Sequence, residues 1–324
     1  MAMLLDDLCQ AADFGVVDAH HHLWNLAGGS YPWLQHAYRG DTFMGDYSRL
    51  CQSYQADDYR ADTAGVCIAA TVHVEAERAR DEALAESQWL NQVARENTGI
   101  ASAIVPWVDL WADDVAERID AHVLANGRVR GIRCKPRVAP GPTEPCPAGP
   151  GCLDDPHLSA GLAALLTKDL AWDLRVPWWH LMEAAERLTD FPQLTVVLNH
   201  AGLPWDRSES GMRNWRRGMA VLARLPRVFV KLSELSAPGI GWDESGVRRV
   251  VETTLDLFGP GRCMFATNLP VAKLTVDVPT MVRVIAEAVA PLGEVAMRAV
   301  FMTTASTAYR FEVERNSAGG DAMN

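Results

Sequence analysis

The feature that most constrains the fold is an eightfold alternation between short apolar runs and longer segments of helical periodicity. The apolar runs, which are the predicted strands, cover residues 14–22, 65–76, 99–110, 129–136, 171–176, 194–204, 227–235 and 262–270. Apolar strands that alternate with helices are typical of a parallel sheet covered on both faces. The pattern therefore predicts an α/β fold, a (β/α)8 TIM barrel with an additional helix toward its C-terminus.

The domain organisation follows from the length and the even composition of the chain. Its 324 residues are 48% hydrophobic and 22% charged, as in a globular protein, and no linker or internal repeat divides them. We predict one domain over residues 1–324, with an N-terminal extension over 1–13 and a flexible tail over 312–324. A doubly wound open sheet is the alternative, but it usually has a glycine-rich phosphate loop after its first strand, where this chain has three histidines.

The overall charge limits the classes of partner. A net charge of −11 argues against a nucleic-acid-binding surface. The sequence contains no run of about 18 uncharged apolar residues, so no membrane-spanning helix is expected. The first ten residues have no positive charge ahead of an apolar stretch, so no secretory signal is expected. The seven cysteines are odd in number and scattered. We therefore expect reduced thiols and a cytoplasmic location. An exposed tryptophan-rich rim would favour a homodimer.

Polar or aromatic side chains stand at the end of each predicted strand, which is where TIM barrels carry their chemistry. In chain order they are Asp18, His20, His22, His73, Glu75, Trp107, Asp109, Arg133, Lys135, Asp173, Arg175, His200, Lys231, Glu234 and Asn268. His20 and His22 share one face of the first strand because strand side chains alternate, and His21 points the other way. Two imidazoles on one face suit a metal ion as well as they suit a substrate carboxylate or carbonyl.

A series of motifs along the chain resembles the amidohydrolase superfamily. The motifs are DAHHHLWN, YPWL, VHVEA, VRGIR, LNHAGLPWDRS, VFVKLSEL and RCMFATNLPV. They are most similar to its lactonase-rich branch, which includes fucono-lactonase and 2-pyrone-4,6-dicarboxylate lactonase, and the similarity runs over residues 14–311. The resemblance implies a distorted (β/α)8 barrel with its site at the C-terminal face. It places His20, His22, His200 and the residue at position 268 in that site.

Two positions depart from the pattern of the superfamily. Most members have an aspartate at the end of the eighth strand, as metal ligand and general base, whereas this chain has Asn268, which cannot take up a proton at neutral pH. Metal-binding members also have a histidine at the end of the fifth strand, and AWDLRV has none there. We therefore expect no required cofactor. If one divalent metal such as zinc is bound, its ligands are His20, His22 and His200, since a catalytic zinc normally takes three protein ligands.

Six further strand-end residues are predicted to bind substrate: His73, Glu75, Trp107, Arg133, Lys135 and Lys231. Several of them also have a structural alternative. Lys231 is either a base with a lowered pKa or a partner of Glu234 or Asp18 in an ion pair. His73 and Glu75 either face the pocket, with His73 as a base, or form a structural hydrogen-bond pair.

These residues predict a hydrolase that opens a lactone of a small carboxylated metabolite, so that the substrate is cyclic and anionic. His20 and His22 would hold the carbonyl or carboxylate of the substrate, and His200 would stabilise the developing oxyanion. Arg133 or Lys135 would offset the negative charge of the substrate, unless both only compensate acidic groups of the barrel.

The sequence is compatible with more than one general base and with two alternative functions. With Asn268 in place of the aspartate, the base would be one of the histidines or Glu75. One alternative is a metal-dependent decarboxylase or lactone isomerase of the same superfamily. The other is a non-catalytic ligand-binding barrel. The proline- and glycine-rich segment 136–151 is predicted to be irregular, and it is either a lid or a surface insertion.

Overall fold

Eight strands form the centre of the fold. In the computed structural model, which describes residues 15–35 and 43–313, they are β1 (Val16–His21), β2 (Ile68–Val74), β3 (Ala103–Val105), β4 (Gly131–Ile132), β5 (Ala171–Leu174), β6 (Val196–Leu198), β7 (Val228–Leu232) and β8 (Cys263–Phe265). They pair in parallel and in chain order, in the runs β1-β2-β3 and β4-β5-β6-β7-β8. The predicted extension over 1–13 and residues 314–324 of the predicted tail lie outside the described residues.

Backbone contacts beyond the paired strands close the two runs into one barrel. The N–H of Arg130 donates a hydrogen bond of 3.0 Å to the carbonyl of Ile104, which joins β3 to the start of β4. The N–H of Asn268 donates one of 2.7 Å to the carbonyl of His20, which joins the segment after β8 to β1. The closed ring of eight parallel strands confirms the predicted TIM barrel.

Helices follow the strands and cover the outside of the barrel. They are α1 (Pro32–Gln35), α2 (Ala56–Asp62), α3 (Ala83–Glu96), α4 (Val115–Ala125), α5 (His157–Thr167), α6 (Leu181–Leu188), α7 (Glu209–Leu222), α8 (Glu244–Phe258), α9 (Val278–Val289), α10 (Glu294–Arg298) and α11 (Thr304–Tyr309). The side chains of Ser208, Asp243 and Asp277 accept hydrogen bonds from first-turn N–H groups of α7, α8 and α9. These caps fix where the three helices begin.

The strands are shorter than the sequence pattern indicates. The third predicted strand, 99–110, contributes only Ala103–Val105 to the sheet, and Pro106, which has no N–H to donate, follows directly. The fourth predicted strand contributes only Gly131–Ile132. As a result, several of the polar residues that were predicted to end strands lie in the irregular segments just beyond them.

The C-terminal helix closes the end of the barrel at which the strands begin. Tyr309, at the end of α11, is fully buried, and its hydroxyl donates a hydrogen bond of 2.6 Å to Asp173 Oδ1 on β5. The carbonyl of Arg310 accepts a hydrogen bond of 3.1 Å from Nε of Arg130, which directly precedes β4. The additional helix that the sequence predicts is therefore present, and it fills the end of the barrel opposite the site.

The cysteines depart from the sequence prediction at one position. Cys67, one residue before β2, is disulfide-bonded, so the expectation of reduced thiols is wrong for this residue. The free thiols within residues 15–35 and 43–313 are Cys51, Cys134, Cys146, Cys152 and Cys263. The scatter of the cysteines along the chain concealed the bond, because sequence spacing does not reveal which residues approach in space. None of the helices in the described ranges has the length and apolar character needed to cross a bilayer.

Candidate active site

A cavity of about 570 Å³ opens at the C-terminal face of the barrel, a size that suits a small-molecule ligand. Six residues predicted for the site line it: His22, Glu75, Arg133, Lys135, His200 and Asn268. Five further charged residues also line it: Glu77, Arg78, Arg80, Arg175 and Glu234. Its apolar wall is formed by Pro32, Trp33, Phe43, Met44 and Val271. Most of this wall follows β1 in the chain, whereas the irregular segment 136–151 contributes nothing to the lining.

Three residues that were predicted to bind substrate lie outside the lining of the cavity: His73, Trp107 and Lys231. His73, on β2, accepts a hydrogen bond of 2.9 Å at Nε2 from the N–H of Leu23, so it supports the segment after β1. The ring of Trp107 packs against Arg80, whose guanidinium lies 4.5 Å from the ring centroid. His73 and Trp107 therefore lie behind the lining, and Trp107 contacts it through Arg80.

His22, which lines the cavity, forms a hydrogen-bonded pair with His20, which lies beneath the lining. His22 Nδ1 lies 2.8 Å from the carbonyl oxygen of Val74, which can only accept, so Nδ1 carries the proton and Nε2 holds a lone pair. His20 Nε2 lies 3.3 Å from this lone pair and donates to it. The remaining lone pair of His20, on Nδ1, faces the ammonium of Lys231 at 3.3 Å. These contacts assign the Nδ1–H tautomer to His22. For His20, two donors compete, Lys231 at Nδ1 and Arg133 Nη1 at Nε2, and the shorter contact with Lys231 favours the Nε2–H tautomer.

Lys231 is fully buried inside the barrel and is paired with Asp173. The Nζ–Oδ2 distance is 2.5 Å, and Asn199 Nδ2 donates to the same oxygen at 2.9 Å. Burial lowers the pKa of Lys231 to about 8, although Asp173 counteracts the effect. An ion pair was one of the two sequence hypotheses, but its partner is Asp173 rather than Glu234 or Asp18. The reason is that the alternate strands β5 and β7 direct their side chains to one layer of the barrel interior.

The histidines at the site are neutral at pH 7. Burial holds the pKa values of His20, His22 and His200 well below the ordinary range, and the positive charge of Arg133 lowers all three further. Neutral imidazoles in this environment exchange hydrogen bonds readily but accept a full proton poorly. They are therefore better suited to polarise a substrate than to act as its base.

Two carboxylates of the cavity are held in ion pairs. Glu75 Oε1 accepts a hydrogen bond of 2.7 Å from Arg133 Nε, and its Oε2 lies 3.4 Å from Arg80 Nη1. Glu77 pairs with Lys135 and, at 2.5 Å, with Arg80 Nη2. Burial alone would raise the pKa of Glu77, but the charges of Lys135 and Arg80 outweigh it and lower the pKa. Arg133 and Lys135 thus have anionic partners within the protein.

Arg175 is different, because it makes no ion pair within the described residues. It directly follows β5 and lines the cavity, and its guanidinium lies 5.4 Å from the ring centroid of Phe43. Burial, reinforced by the charge of Arg133, lowers the pKa of Arg175 to about 10, which leaves it cationic at neutral pH. Sequence reasoning placed it at a strand end but did not include it among the substrate-binding residues.

Glu234 and Asn268 contact each other at the edge of the cavity, where Asn268 Nδ2 donates to Glu234 Oε2. Both residues have left-handed backbone conformations, with φ of 47° and 58°, as does His200, with φ of 57°. Such a conformation costs roughly 1–2 kcal/mol for a residue other than glycine. The three turns follow β7, β8 and β6, and all three side chains line the same cavity. Glu234 was not predicted as a site residue, although its strand-end position was visible.

His200 is oriented by Ser233, which directly precedes Glu234. His200 Nδ1 lies 2.8 Å from Ser233 Oγ. When this hydroxyl donates to Nδ1, the proton of the neutral ring is on Nε2 and is available to a developing oxyanion. The end of β7 thus supports His200 and also supplies a carboxylate.

The donor atoms of His20 and His22 do not fit a divalent metal ion. To bind one, His20 Nε2 would need a lone pair, which would move its proton to Nδ1 and direct it at the Lys231 ammonium 3.3 Å away. Arg133 Nη1 also lies 3.4 Å from His20 Nε2, so a dication there would meet a like charge.

Three possible metal ligands do cluster elsewhere in the described part of the chain. One donor atom each from Cys146, His180 and Glu183 lies within 4.8 Å of the others. His180 Nε2 accepts a hydrogen bond of 2.8 Å from the N–H of Ala139, so its proton is on Nδ1, which donates to Glu183 at 2.6 Å. His180 therefore has no free lone pair, and the cluster is a hydrogen-bonded support for the segment around Ala139.

Comparison with known proteins identifies relatives over most of the chain. The family model described as amidohydrolase matches residues 17–311. The protein y4mH of Sinorhizobium fredii is 31% identical over 263 residues, which are 81% of this chain and 87% of that protein. An L-fucono-1,5-lactonase of Burkholderia multivorans is 28% identical over 269 residues, which are 80% of this chain and 83% of that protein.

A solved structure shares the fold. An amidohydrolase of Burkholderia multivorans crystallised with HEPES superposes with a TM-score of 0.76 at 26% identity, over 92% of this chain and all of that one. A crystal form with zinc superposes with a TM-score of 0.75 at 24% identity and the same coverage. These findings confirm the resemblance that the motifs indicated. The chain belongs to the amidohydrolase family and is a hydrolase.

Proposed function

We propose that the enzyme opens the ring of a lactone of a small carboxylated metabolite by attack of water, without a metal ion. The observation that carries the proposal is the guanidinium of Arg175, which makes no ion pair within residues 15–35 and 43–313 and lies in the same cavity as the neutral His200. A cation that has no internal partner in a confined cavity favours an anionic ligand, since the ligand supplies the missing charge. The relative named L-fucono-1,5-lactonase supports a lactone as the reacting group.

Each cavity residue has a distinct task in this proposal. Arg175 binds the substrate carboxylate, and the Nε2 proton of His200 stabilises the oxyanion that forms when water attacks the carbonyl. His22 cannot polarise that carbonyl, because its proton is bound to Val74. His20 and His22 instead hold the floor of the cavity in a fixed, uncharged state. An ester is already reactive toward water, so these hydrogen bonds can replace a Lewis acid.

The test is a hydrolysis assay on a panel of lactones with and without a carboxylate, read by the acid released on ring opening. Arg175→Met is compared with Arg216→Met, which removes an exposed arginine of α7. For carboxylated lactones we expect Arg175→Met to raise KM by about 10- to 100-fold, the value of a charged hydrogen bond, and Arg216→Met to leave it unchanged. Ring opening of no lactone, or release of CO2 in its place, would contradict the proposal.

A further inference from the structure

The cavity contains three carboxylates, and two of them are unsuited to take a proton from water. Both oxygens of Glu75 are occupied, one by Arg133 and the other by Arg80 and the N–H of Glu77. Glu77 itself is paired with Lys135 and Arg80. A carboxylate that is neutralised by cations is a weak base, because protonation would leave those cations without a partner.

Glu234 is the third carboxylate, and it has no ion-pair partner within the described residues. Its hydrogen-bond partner is a neutral amide, Asn268 Nδ2, which engages Oε2 and leaves Oε1 for another donor. Two elements also orient the carboxylate toward the cavity, the left-handed turn at Glu234 and the one at Asn268. Backbone strain of this kind persists where the surrounding structure holds a side chain in a required position.

We propose that Glu234 is the general base that activates the hydrolytic water, and that Asn268 is a positioning residue that holds its carboxylate in place. This inference rests on the proposed lactone hydrolysis. It explains how a chain without the strand-end aspartate of its superfamily can still remove a proton, because the carboxylate comes from the neighbouring strand end and contacts the amide that replaced the aspartate.

In the proposed reaction, Glu234 takes one proton from water and later returns it to the leaving group. One O–H bond of the water breaks and its proton goes to Glu234, while the water oxygen forms a bond to the lactone carbonyl carbon. The tetrahedral oxyanion, stabilised by His200, then collapses and breaks the bond between that carbon and the ring oxygen. The proton on Glu234 passes to the leaving alkoxide, so the carboxylate is regenerated and the product is a hydroxy acid.

The electrostatic surroundings of Glu234 agree with this role. Partial burial raises its pKa above the ordinary value, while the Asn268 hydrogen bond and the charge of Arg175 limit the rise. The titratable and charged groups that line the cavity with it are Arg175 after β5, His200 after β6, Arg133 and Lys135 after β4, and Glu75, Glu77, Arg78 and Arg80 after β2. A base with a moderately raised pKa is better matched to catalysis near neutral pH.

The test compares Glu234→Gln with Glu186→Gln, which alters an exposed glutamate of α6, in the full-length enzyme. We expect Glu234→Gln to lower kcat by about 10²- to 10⁴-fold with KM changed only a few-fold, and Glu186→Gln to change neither. Adding Asn268→Asp to Glu234→Gln returns a carboxylate to the contact and should recover at least tenfold in kcat. Circular dichroism checks that each variant is folded.

Asn268→Ala tests the positioning role through the pH dependence. The hydrogen bond from the Asn268 amide favours the charged form of the Glu234 carboxylate. Loss of this hydrogen bond should therefore raise the pKa of Glu234 and move the acid limb of kcat about one pH unit upward. Infrared titration of the carboxyl band, assigned by its absence in Glu234→Gln, reads the same shift without any turnover.

The outcomes separate the two proposals. If the wild type opens lactones and Glu234→Gln stays within threefold of it, Glu234 is not the base, while the lactonase proposal stands. If the wild type opens no lactone, both proposals fail as statements about catalysis. An unshifted carboxyl titration in Asn268→Ala would overturn the positioning role in either case.

Discussion

The ammonium of Lys231 lies 2.5 Å from Asp173 Oδ2 at the centre of the barrel, where neither side chain is exposed. Tyr309 donates to the other oxygen of the same carboxylate at 2.6 Å. Two buried charges in such a contact depend on each other, since the removal of one leaves the other without compensation.

Lys231→Met is therefore expected to lower the free energy of unfolding by about 3–5 kcal/mol. The matched control is Lys168→Met, which breaks the surface pair of Lys168 with Asp120 and should cost less than about 1 kcal/mol. Urea unfolding followed by circular dichroism measures both. Equal losses in the two variants would show that the buried pair is not a special support of the barrel.

A pH effect on stability is expected from Glu86 on α3, which is buried and accepts a hydrogen bond of 3.1 Å from the N–H of Ala76. Burial, followed by the charge of Glu75, raises its pKa to about 8, from 4.5 in an unperturbed glutamate. Between these values the folded form keeps a proton that the unfolded form releases. The contribution to stability is therefore complete below about pH 4.5 and is lost as the pH rises through 8.

Glu86→Gln should abolish this loss of stability at high pH. Glutamine keeps a side-chain oxygen that accepts the hydrogen bond from the N–H of Ala76, and it does not ionise. The free energy of unfolding of the variant minus that of the wild type should increase by up to about 1.4 kcal/mol per pH unit between about pH 5 and 8. Urea unfolding at several pH values measures the difference. Glu186→Gln should run parallel to the wild type, and parallel curves for Glu86→Gln would refute the assignment.

Removal of metal is expected to leave activity unchanged. The tautomer that His20 adopts between His22 and Lys231 offers no lone pair to a metal ion at Nε2. Enzyme dialysed against a chelator should retain its kcat, and added zinc should not increase it. Elemental analysis of the purified protein gives the matching stoichiometry. One zinc per chain, with activity lost to the chelator and restored by zinc, would exclude this account.

The two tryptophans Trp33 and Trp107 are expected to differ in their effect on substrate binding. Trp33 lines the cavity, whereas Trp107 packs on Arg80 behind the lining. Trp33→Leu should raise KM by about 2- to 10-fold through loss of aromatic contact, and Trp107→Leu should have a smaller effect. Steady-state kinetics on the preferred lactone compares them. The reverse order would restore the role that the sequence assigned to Trp107.

The sequence predicted the fold well because strand and helix patterns are local and repeat eight times. It also predicted six of the residues that line the cavity, since strand ends in a parallel barrel meet at one face. It missed Arg175 and Glu234 for different reasons. Arg175 can be recognised as the candidate anion-binding residue only when the structure shows that Arg133 and Lys135 are paired with Glu75 and Glu77. Glu234 turns into the cavity through a left-handed backbone, which alternation along a strand does not anticipate.

The partner of Lys231 was missed for a topological reason. Glu234 lies in the same sequence motif as Lys231, and Asp18 is another acidic residue at a strand end. The observed partner, Asp173, lies on β5, and only closure of the barrel brings side chains of β5 and β7 to the same layer. The disulfide at Cys67 was missed for a similar reason, because it depends on proximity in space.

The position of Tyr309 has a consequence for the way the protein is made. A ribosome completes all eight strands and every cavity-lining residue before it reaches residue 309. Until α11 docks, the carboxylate of Asp173 lacks its phenolic donor, and the charge pair that supports His20 from below is open to water at the far end of the barrel. A nascent chain that stops short of α11 would contain every cavity-lining residue but lack the Tyr309 hydrogen bond to Asp173, so we expect the cavity to reach its final form late in synthesis.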